Sequence, residues 1–228
     1  YGHDGVFQGP RGWAYWNHLE YPMPIQNPNL WPDTQSTYFL GRLELPAGST
    51  MTMDFSFPQA RYFQFALYRW ERNTFVAADA IAGPEIEPEP GSTNPFRVGA
   101  NRLAERREFK LRIVADDAPV APQKRAPNTV YAGKGGGQIE GVIRIYLADQ
   151  GRDGAGWGSA DASYGSRGFP TYSATLADGT KLTAADVVQR MARPIEGATK
   201  QPITAEQWAQ IVHANTNDPS LDPATAPA

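Results

Sequence analysis

The 228-residue chain contains no cysteine. That excludes a disulfide framework and all thiolate chemistry, whether nucleophilic or metal-binding. A cytosolic protein of this size usually carries a few cysteines, so their absence points to an exported protein, periplasmic or secreted. No charged-then-apolar leader opens the sequence at Tyr1, so the expectation is that any targeting segment is already gone. No stretch approaches the roughly 18 apolar residues of a membrane-spanning helix. Positive charge is not in excess: 21 Lys and Arg stand against 24 Asp and Glu, for a net charge of −3, which argues against a nucleic-acid surface. Histidine is scarce, with only His3, His18 and His213, whereas hydrolytic triads and zinc sites need it at fixed spacings. His3 and His18 share a segment with Asp4 and Glu20, the one grouping that resembles a two-His-one-carboxylate set. Ser163, Ser166 and Ser173 lack the context of a nucleophile elbow, and there is no solenoid-type repeat.

What is present describes a globular β protein. Hydrophobic residues are 41% and charged residues 20%, a folding composition of one large domain or two small ones. Glycine (22) and proline (20) are plentiful, which predicts many turns and few long helices. Residues 1–36 show no strand or helix period, yet carry Phe7, Trp13, Tyr15, Trp16, Tyr21 and Trp31. Such aromatics dominate core and interface burial. The stretch is therefore expected to be an irregular arm, packed over a sheet or buried against a partner.

Strand patterns follow. Thr37 to Glu44 is a short apolar run ended by Pro46-Ala47-Gly48. From Ser49 to Phe57, Met51, Met53, Phe55 and Phe57 alternate with Thr50, Thr52, Asp54 and Ser56, the period of a half-buried strand. Arg61 to Arg69 alternates too, Phe63, Phe65 and Leu67 opposing Tyr62, Gln64 and Tyr68, and Pro58-Gln59-Ala60 predicts a hairpin between these two strands. Thr74 to Ala78, Arg107 to Ala115, Asn128 to Ala132 and Ile139 to Leu147 add strands, the last with Ile143, Ile145 and Leu147 inward and Arg144 and Tyr146 on the other face. Residues 79–106 read as a long connection, extended through Pro84 to Gly91 because proline restrains itself and its predecessor. Asp178-Gly179 marks a tight hairpin within Tyr172 to Leu182. Thr183 with Asp186, and Thr204 with Gln207, cap two short helices. Strand after strand without helical crossovers predicts antiparallel pairing, and burying the apolar faces takes two sheets or one closed sheet. The expected architecture is a mainly β, antiparallel jelly-roll-like β-sandwich (37–182) behind the arm (1–36). A two-helix appendage (183–214) and an extended, proline-containing tail (215–228) follow.

Three stretches, Arg61-Tyr62-Phe63-Gln64-Phe65-Ala66-Leu67-Tyr68, Asn94-Pro95-Phe96 and Val142-Ile143-Arg144-Ile145-Tyr146, resemble a bacterial domain of unknown function. The resemblance covers roughly residues 37–150. It implies a jelly-roll-like β-sandwich in exported proteins, where that domain often follows a second uncharacterised one. Where members of that family carry a Pro-Asn-Trp-type stretch, this chain has Asp149 to Trp157. The resemblance brings no catalytic set with it.

The candidate ligand-binding residues are Arg144, Tyr146, Arg61, Tyr62, Tyr68 and Arg69, which neighbouring strands would gather on one sheet face. The arginine fork matches a carboxylate, phosphate or sugar diol, and tyrosine supplies a wall. The plainer alternative is a cross-strand network that only ties strands together. Trp16 and Trp157 join the set because flat rings line carbohydrate and apolar grooves. Asp149 and Asp153, with Asp161, lie among glycines, an arrangement that suits Ca²⁺ and equally a plain turn-rich loop. Glu85, Glu87 and Glu89 alternate along an extended segment and read as solvated edge residues. Gly133-Lys134-Gly135-Gly136-Gly137 lacks the ending and following helix of a phosphate loop.

Trp, Tyr and Arg dominate binding hot spots, and no catalytic constellation stands beside them here. The leading expectation is thus a non-enzymatic exported protein that binds a small-molecule or carbohydrate ligand, or a protein partner through its arm, with oligomers admitted. One alternative is a hydrolase or lyase on the same scaffold, using a metal near His3 and His18 or an acid/base pair at Asp149 and Asp153. The other is a structural subunit whose ends thread into neighbours.

Overall fold

Alternation becomes burial. In Thr50–Ser56 every second residue, Met51, Met53 and Phe55, is buried, and Glu108–Val114 does the same with Phe109, Leu111 and Ile113. The structure, a computed structural model, describes residues 6–8, 13–16, 36–149 and 170–193. In chain order its strands are β1 (Val6–Gln8), β2 (Trp13–Trp16), β3 (Ser36–Leu45), β4 (Thr50–Ser56), β5 (Ala60–Glu71) and β6 (Thr74–Ala82). They continue as β7 (Glu108–Val114), β8 (Thr129–Tyr131), β9 (Gly137–Ala148), β10 (Thr171–Thr175), β11 (Lys181–Leu182) and, after the helix α1 (Ala184–Met191), β12 (Ala192–Arg193). The larger sheet runs β1-β2-β3-β9-β5-β6 with β12 also on β3, and the smaller runs β11-β10-β4-β7-β8.

The two sheets enclose one apolar core, so the expected mainly β sandwich is the architecture observed. Phe63 and Phe65 of the larger sheet meet Phe55, Phe57 and Phe109 on the smaller side. Phe55 stacks on Phe109 with ring centroids 5.0 Å apart, and Phe63 sits edge-on to both at 6.1 and 5.7 Å. Such pairs add to area burial that is worth about 1.5–3 kcal/mol per large side chain.

Several expectations need correction. The arm contains two strands: β1 pairs with β2, and β2 with β3. At three and four residues they are too short to display a period. Pro58-Gln59-Ala60 does not join a hairpin. It carries the chain from β4 in the smaller sheet to β5 in the larger one. Both edges of β4 are already used by β10 and β7, so β5 cannot fold back on it. Pairing is not wholly antiparallel, since β7 and β8 run parallel. The intervening loop is long enough to return the chain to its start. Strand β6 reaches Ala82, its alanines giving the sequence little contrast. Leu147 is 51% exposed rather than inward, because its φ of 50° breaks the alternation.

Local polar contacts pin the connections. Buried Asn94 donates to the carbonyls of Gly83 (2.8 Å) and Ile86 (2.7 Å) and accepts from the Phe96 N–H (2.9 Å). This folds residues 83–107 over the core and sets Phe96 against Phe57 and Phe63. Asp79 of β6 accepts from the Tyr131 N–H (2.9 Å) and from Arg125 (2.5 Å), tying β8 to the larger sheet. The Asp178-Gly179 hairpin forms between β10 and β11, with Gly179 at φ 86°. Thr183 and Asp186 make the expected capping box of α1, which inserts Val187 and Met191 into the core. The second expected helix, with Thr204 and Gln207, lies outside the described residues. Among the described residues no helix is long and apolar enough to cross a membrane.

Two predictions follow from these contacts. Asn94→Ala should cost about 1–3 kcal/mol in urea unfolding, because it leaves the Phe96 N–H without its acceptor and takes one of two donors from each of the Gly83 and Ile86 carbonyls. The second concerns acid. Hydrogen bonds from Arg97 to Glu87, Ser92 to Glu108, Thr180 to Asp178 and Thr183 to Asp186 hold these carboxyls below their ordinary range. A carboxyl depressed in the folded state contributes its stability above its unfolded pKa and loses it as pH falls through the folded value. Melting temperature followed by circular dichroism should therefore be flat from pH 7 to 5 and fall below about pH 4.

Candidate functional site

The outward face of the larger sheet follows from its inward face. Phe39, Ile143 and Phe65 are fully buried across β3, β9 and β5, so their neighbours in sequence point the other way. Register then sets Tyr38 opposite Arg144 and Arg144 opposite Gln64, with Tyr146 opposite Tyr62 in the next outward row. These residues, with Arg61 at the start of β5, line an open hollow of about 690 Å³. Leu147 forms part of its lip.

Arg144 is the centre of this hollow. Its Nη1 donates to Gln64 Oε1 at 2.9 Å, and its Nη2 donates to the Tyr68 hydroxyl at 2.6 Å. Its guanidinium carbon lies 6.0 Å from the Tyr38 ring and 5.9 Å from the Tyr68 ring, within the range of cation–π attraction. Tyr62 and Tyr146 meet edge to face, 5.5 Å apart at 84°. Arg42, Arg69, Arg97, Arg102, Arg125 and Arg193 each meet a carboxylate. Among the described residues no carboxylate pairs with Arg144 or Arg61.

Five of the expected binding residues thus share a neighbourhood: Arg144, Tyr146, Arg61, Tyr62 and, through its hydroxyl, Tyr68. Arg69 does not. It shares the parity of Phe65 and Leu67 and turns to the opposite side of the sheet, where it pairs with Glu71 and points Nη1 at the Ala132 carbonyl. A Cβ at Gly133 would collide with that guanidinium, so the glycine at this position, with φ 87°, leaves room for it. Within a regular strand adjacent residues face opposite sides, which separates Arg69 from Tyr68, whereas Arg61 at the start of β5 and Leu147 near the end of β9 still reach the hollow. The backbone of Trp16 lies opposite Tyr38 in the register of β2 and β3. Trp157 and Asp153 lie outside the described residues, as do His3, His18 and His213.

Asp149, expected as a calcium ligand, is engaged otherwise. Its carboxylate accepts from Arg102 Nη2 at 2.9 and 3.2 Å, and its N–H donates to the Gln59 carbonyl at 2.8 Å. Arg102 also reaches the Ala60 carbonyl at 3.2 Å, latching the loop after β6 to the root of β5. Glu85, Glu87 and Glu89 meet the Ala82 N–H, Arg97 and Lys110 respectively. Among the described residues no three His, Cys, Asp or Glu side chains gather as a metal site would need.

Sequence reasoning missed Tyr38. Its place opposite Arg144 depends on the β3–β9 register, which no local pattern reveals. Gln64 was legible, since alternation put it on the Tyr62 face. Also missed was Arg42, which donates to Glu140 at 2.8 and 3.2 Å on this same face and lies over the Phe75 ring at 4.6 Å.

No family model matches the chain, so the family resemblance of residues 37–150 has no such match behind it. No curated protein sequence matches it either. Among solved structures it is similar to an uncharacterized protein from Burkholderia cenocepacia, with a TM-score of 0.41 and 12% identity. That alignment covers 94% of this chain but only 43% of the other. What stands on the chain's own structure is the class, a two-sheet, mainly β protein with an arginine–tyrosine hollow on its larger sheet.

The Arg42–Glu140 pair gives a test of how far this face is withdrawn from water. Both side chains are about 15% exposed or less. Glu140→Gln should therefore cost about 2 kcal/mol in urea unfolding, as expected for a partly buried pair losing one charge. Lys110→Ala on the smaller sheet, half exposed, should change stability by less than about 0.5 kcal/mol.

Proposed function

We propose that this protein is a non-enzymatic binding module, within an exported protein, that takes an anionic small molecule on the outer face of its larger sheet. The observation that carries the reading is the state of Arg144. Its guanidinium is positioned by an amide oxygen and a phenol and faces an open hollow with no described carboxylate to neutralise it. An arginine paired with a carboxylate is a strut. One held by neutral partners keeps its full charge and leaves donors for a ligand. Arg61 adds a second positive charge to the lining, in a chain whose net charge is −3. The local potential thus opposes the global one, which favours encounter with an anion at this place. A volume of about 690 Å³ is ordinary for a small-molecule site.

Binding is favoured over catalysis because the lining consists of tyrosine, arginine, glutamine and leucine. Among the described residues it offers no imidazole or carboxylate to act as general base or nucleophile. The absence of cysteine supports the exported setting.

Isothermal titration with benzoate, acetate, sulfate and phosphate tests the reading. At least one anion should bind saturably to the wild type, and Arg144→Gln should weaken it at least tenfold with an unchanged circular dichroism spectrum. Equal affinity in the variant would remove the hollow from consideration.

A further inference from the structure

We infer that the ligand of this hollow is a monocarboxylate joined to a flat aromatic ring, and not a phosphate ester or an acidic sugar. The inference rests on the reading of the Arg144 hollow as an anion site and narrows it by the donors and walls available.

The floor of the hollow is the middle of a sheet. Tyr38, Arg144 and Gln64 lie on β3, β9 and β5, which are continuous neighbours with unbroken register at these positions. Backbone N–H groups there are committed to the ladder. Phosphate sites are characteristically built from backbone amides in glycine-rich turns and helix N-termini. Among the described residues the lining holds no such turn and no lysine. Anion recognition therefore falls to side chains, chiefly to one fixed guanidinium.

Arg144 carries five N–H donors, of which Gln64 and Tyr68 take one each. Three remain. A carboxylate uses two in a parallel fork, whereas a phosphate dianion presents three charged oxygens and would have to draw on Arg61 as well. An acidic sugar adds a ring of hydroxyls that need partners of their own, yet Gln64 Oε1 is already spent on Arg144.

Apart from Gln64 and Arg61, the described lining of the hollow is tyrosine ring and leucine hydrocarbon. Tyr62, 37% exposed, and Leu147, 51% exposed, stand at the lip, and the edge-to-face Tyr62–Tyr146 pair forms a wall. Tyr146 is two residues from Arg144 on β9, a step of about 7 Å. That is about the span from a carboxylate to the far side of a ring attached to it. A ring lying against Tyr62 and Leu147 thus brings its carboxylate to the Arg144 fork.

The test is calorimetric titration of the full chain with trans-cinnamate, phenyl phosphate, galacturonate and neutral cinnamyl alcohol. It compares the wild type with Arg144→Lys and Tyr62→Ala. Cinnamate should bind at least tenfold more tightly than phenyl phosphate or galacturonate, and the alcohol should not saturate. Arg144→Lys keeps the charge but loses the fork, and should weaken cinnamate about tenfold or more. Tyr62→Ala alters an exposed side chain and should weaken cinnamate severalfold at an unchanged melting temperature, which keeps the test readable if an Arg144 variant fails to fold. Arg144-dependent binding that prefers phenyl phosphate or galacturonate would overturn the aromatic carboxylate while leaving the anion site standing. The alcohol binding as well as cinnamate would overturn the carboxylate requirement. No Arg144-dependent binding of any anion would overturn both readings.

Discussion

Between the two sheets lies a layer of phenylalanine, Phe55, Phe57 and Phe109 from one side and Phe63 and Phe65 from the other, with all five rings essentially withdrawn from water. Because strand side chains alternate, fixing Phe63 and Phe65 inward fixes Tyr62 and Gln64 outward. Fixing Ile143 and Ile145 inward does the same for Arg144 and Tyr146. The arginine–tyrosine hollow is the reverse side of the core. A one-residue slip of β9 would drive Arg144 among the phenylalanines and expose the isoleucines, so the energy that holds the core together also sets the geometry of the site.

The two outer faces differ. On the smaller sheet the outward residues are Thr50, Thr52, Asp54, Lys110 and Arg112, the ordinary solvated face of a sandwich. On the larger sheet Tyr38, Val142 and Ala66 are only 8%, 5% and 5% exposed although they point outward. The charges beside them are half-buried and held by specific partners. The long edge strand β6 guards its free side differently: the N–H groups of Ala80 and Ala82 donate to the Asp79 and Glu85 carboxylates. This blunts an edge that would otherwise invite pairing.

Legibility followed the range of the interactions. Period-two strands such as β4, β5, β7 and β9 could be read because their signal lies within seven to twelve residues. The Asp178-Gly179 turn and the Thr183–Asp186 box are shorter still and were equally plain. Strands β1 and β2 were invisible because their partners, rather than their composition, make them strands. The crossing at Pro58-Gln59-Ala60 looked like a hairpin because a turn signal says that the chain bends but not onto which sheet. The partner of Asp149 was not legible, because Arg102, which donates to its carboxylate, lies 47 residues earlier in the chain.

By itself, then, the sequence determined the secondary elements, the two-faced character of each strand and the residue types available for recognition, since these depend on neighbours within a few positions. The tertiary structure alone decided which strands meet. It set Tyr38 and Gln64 on either side of Arg144, turned Arg69 to the far face and gave Asp149 to Arg102. Those outcomes depend on register between segments up to about a hundred residues apart, and register is chosen by the joint burial of both sheets, which no single stretch of the chain encodes.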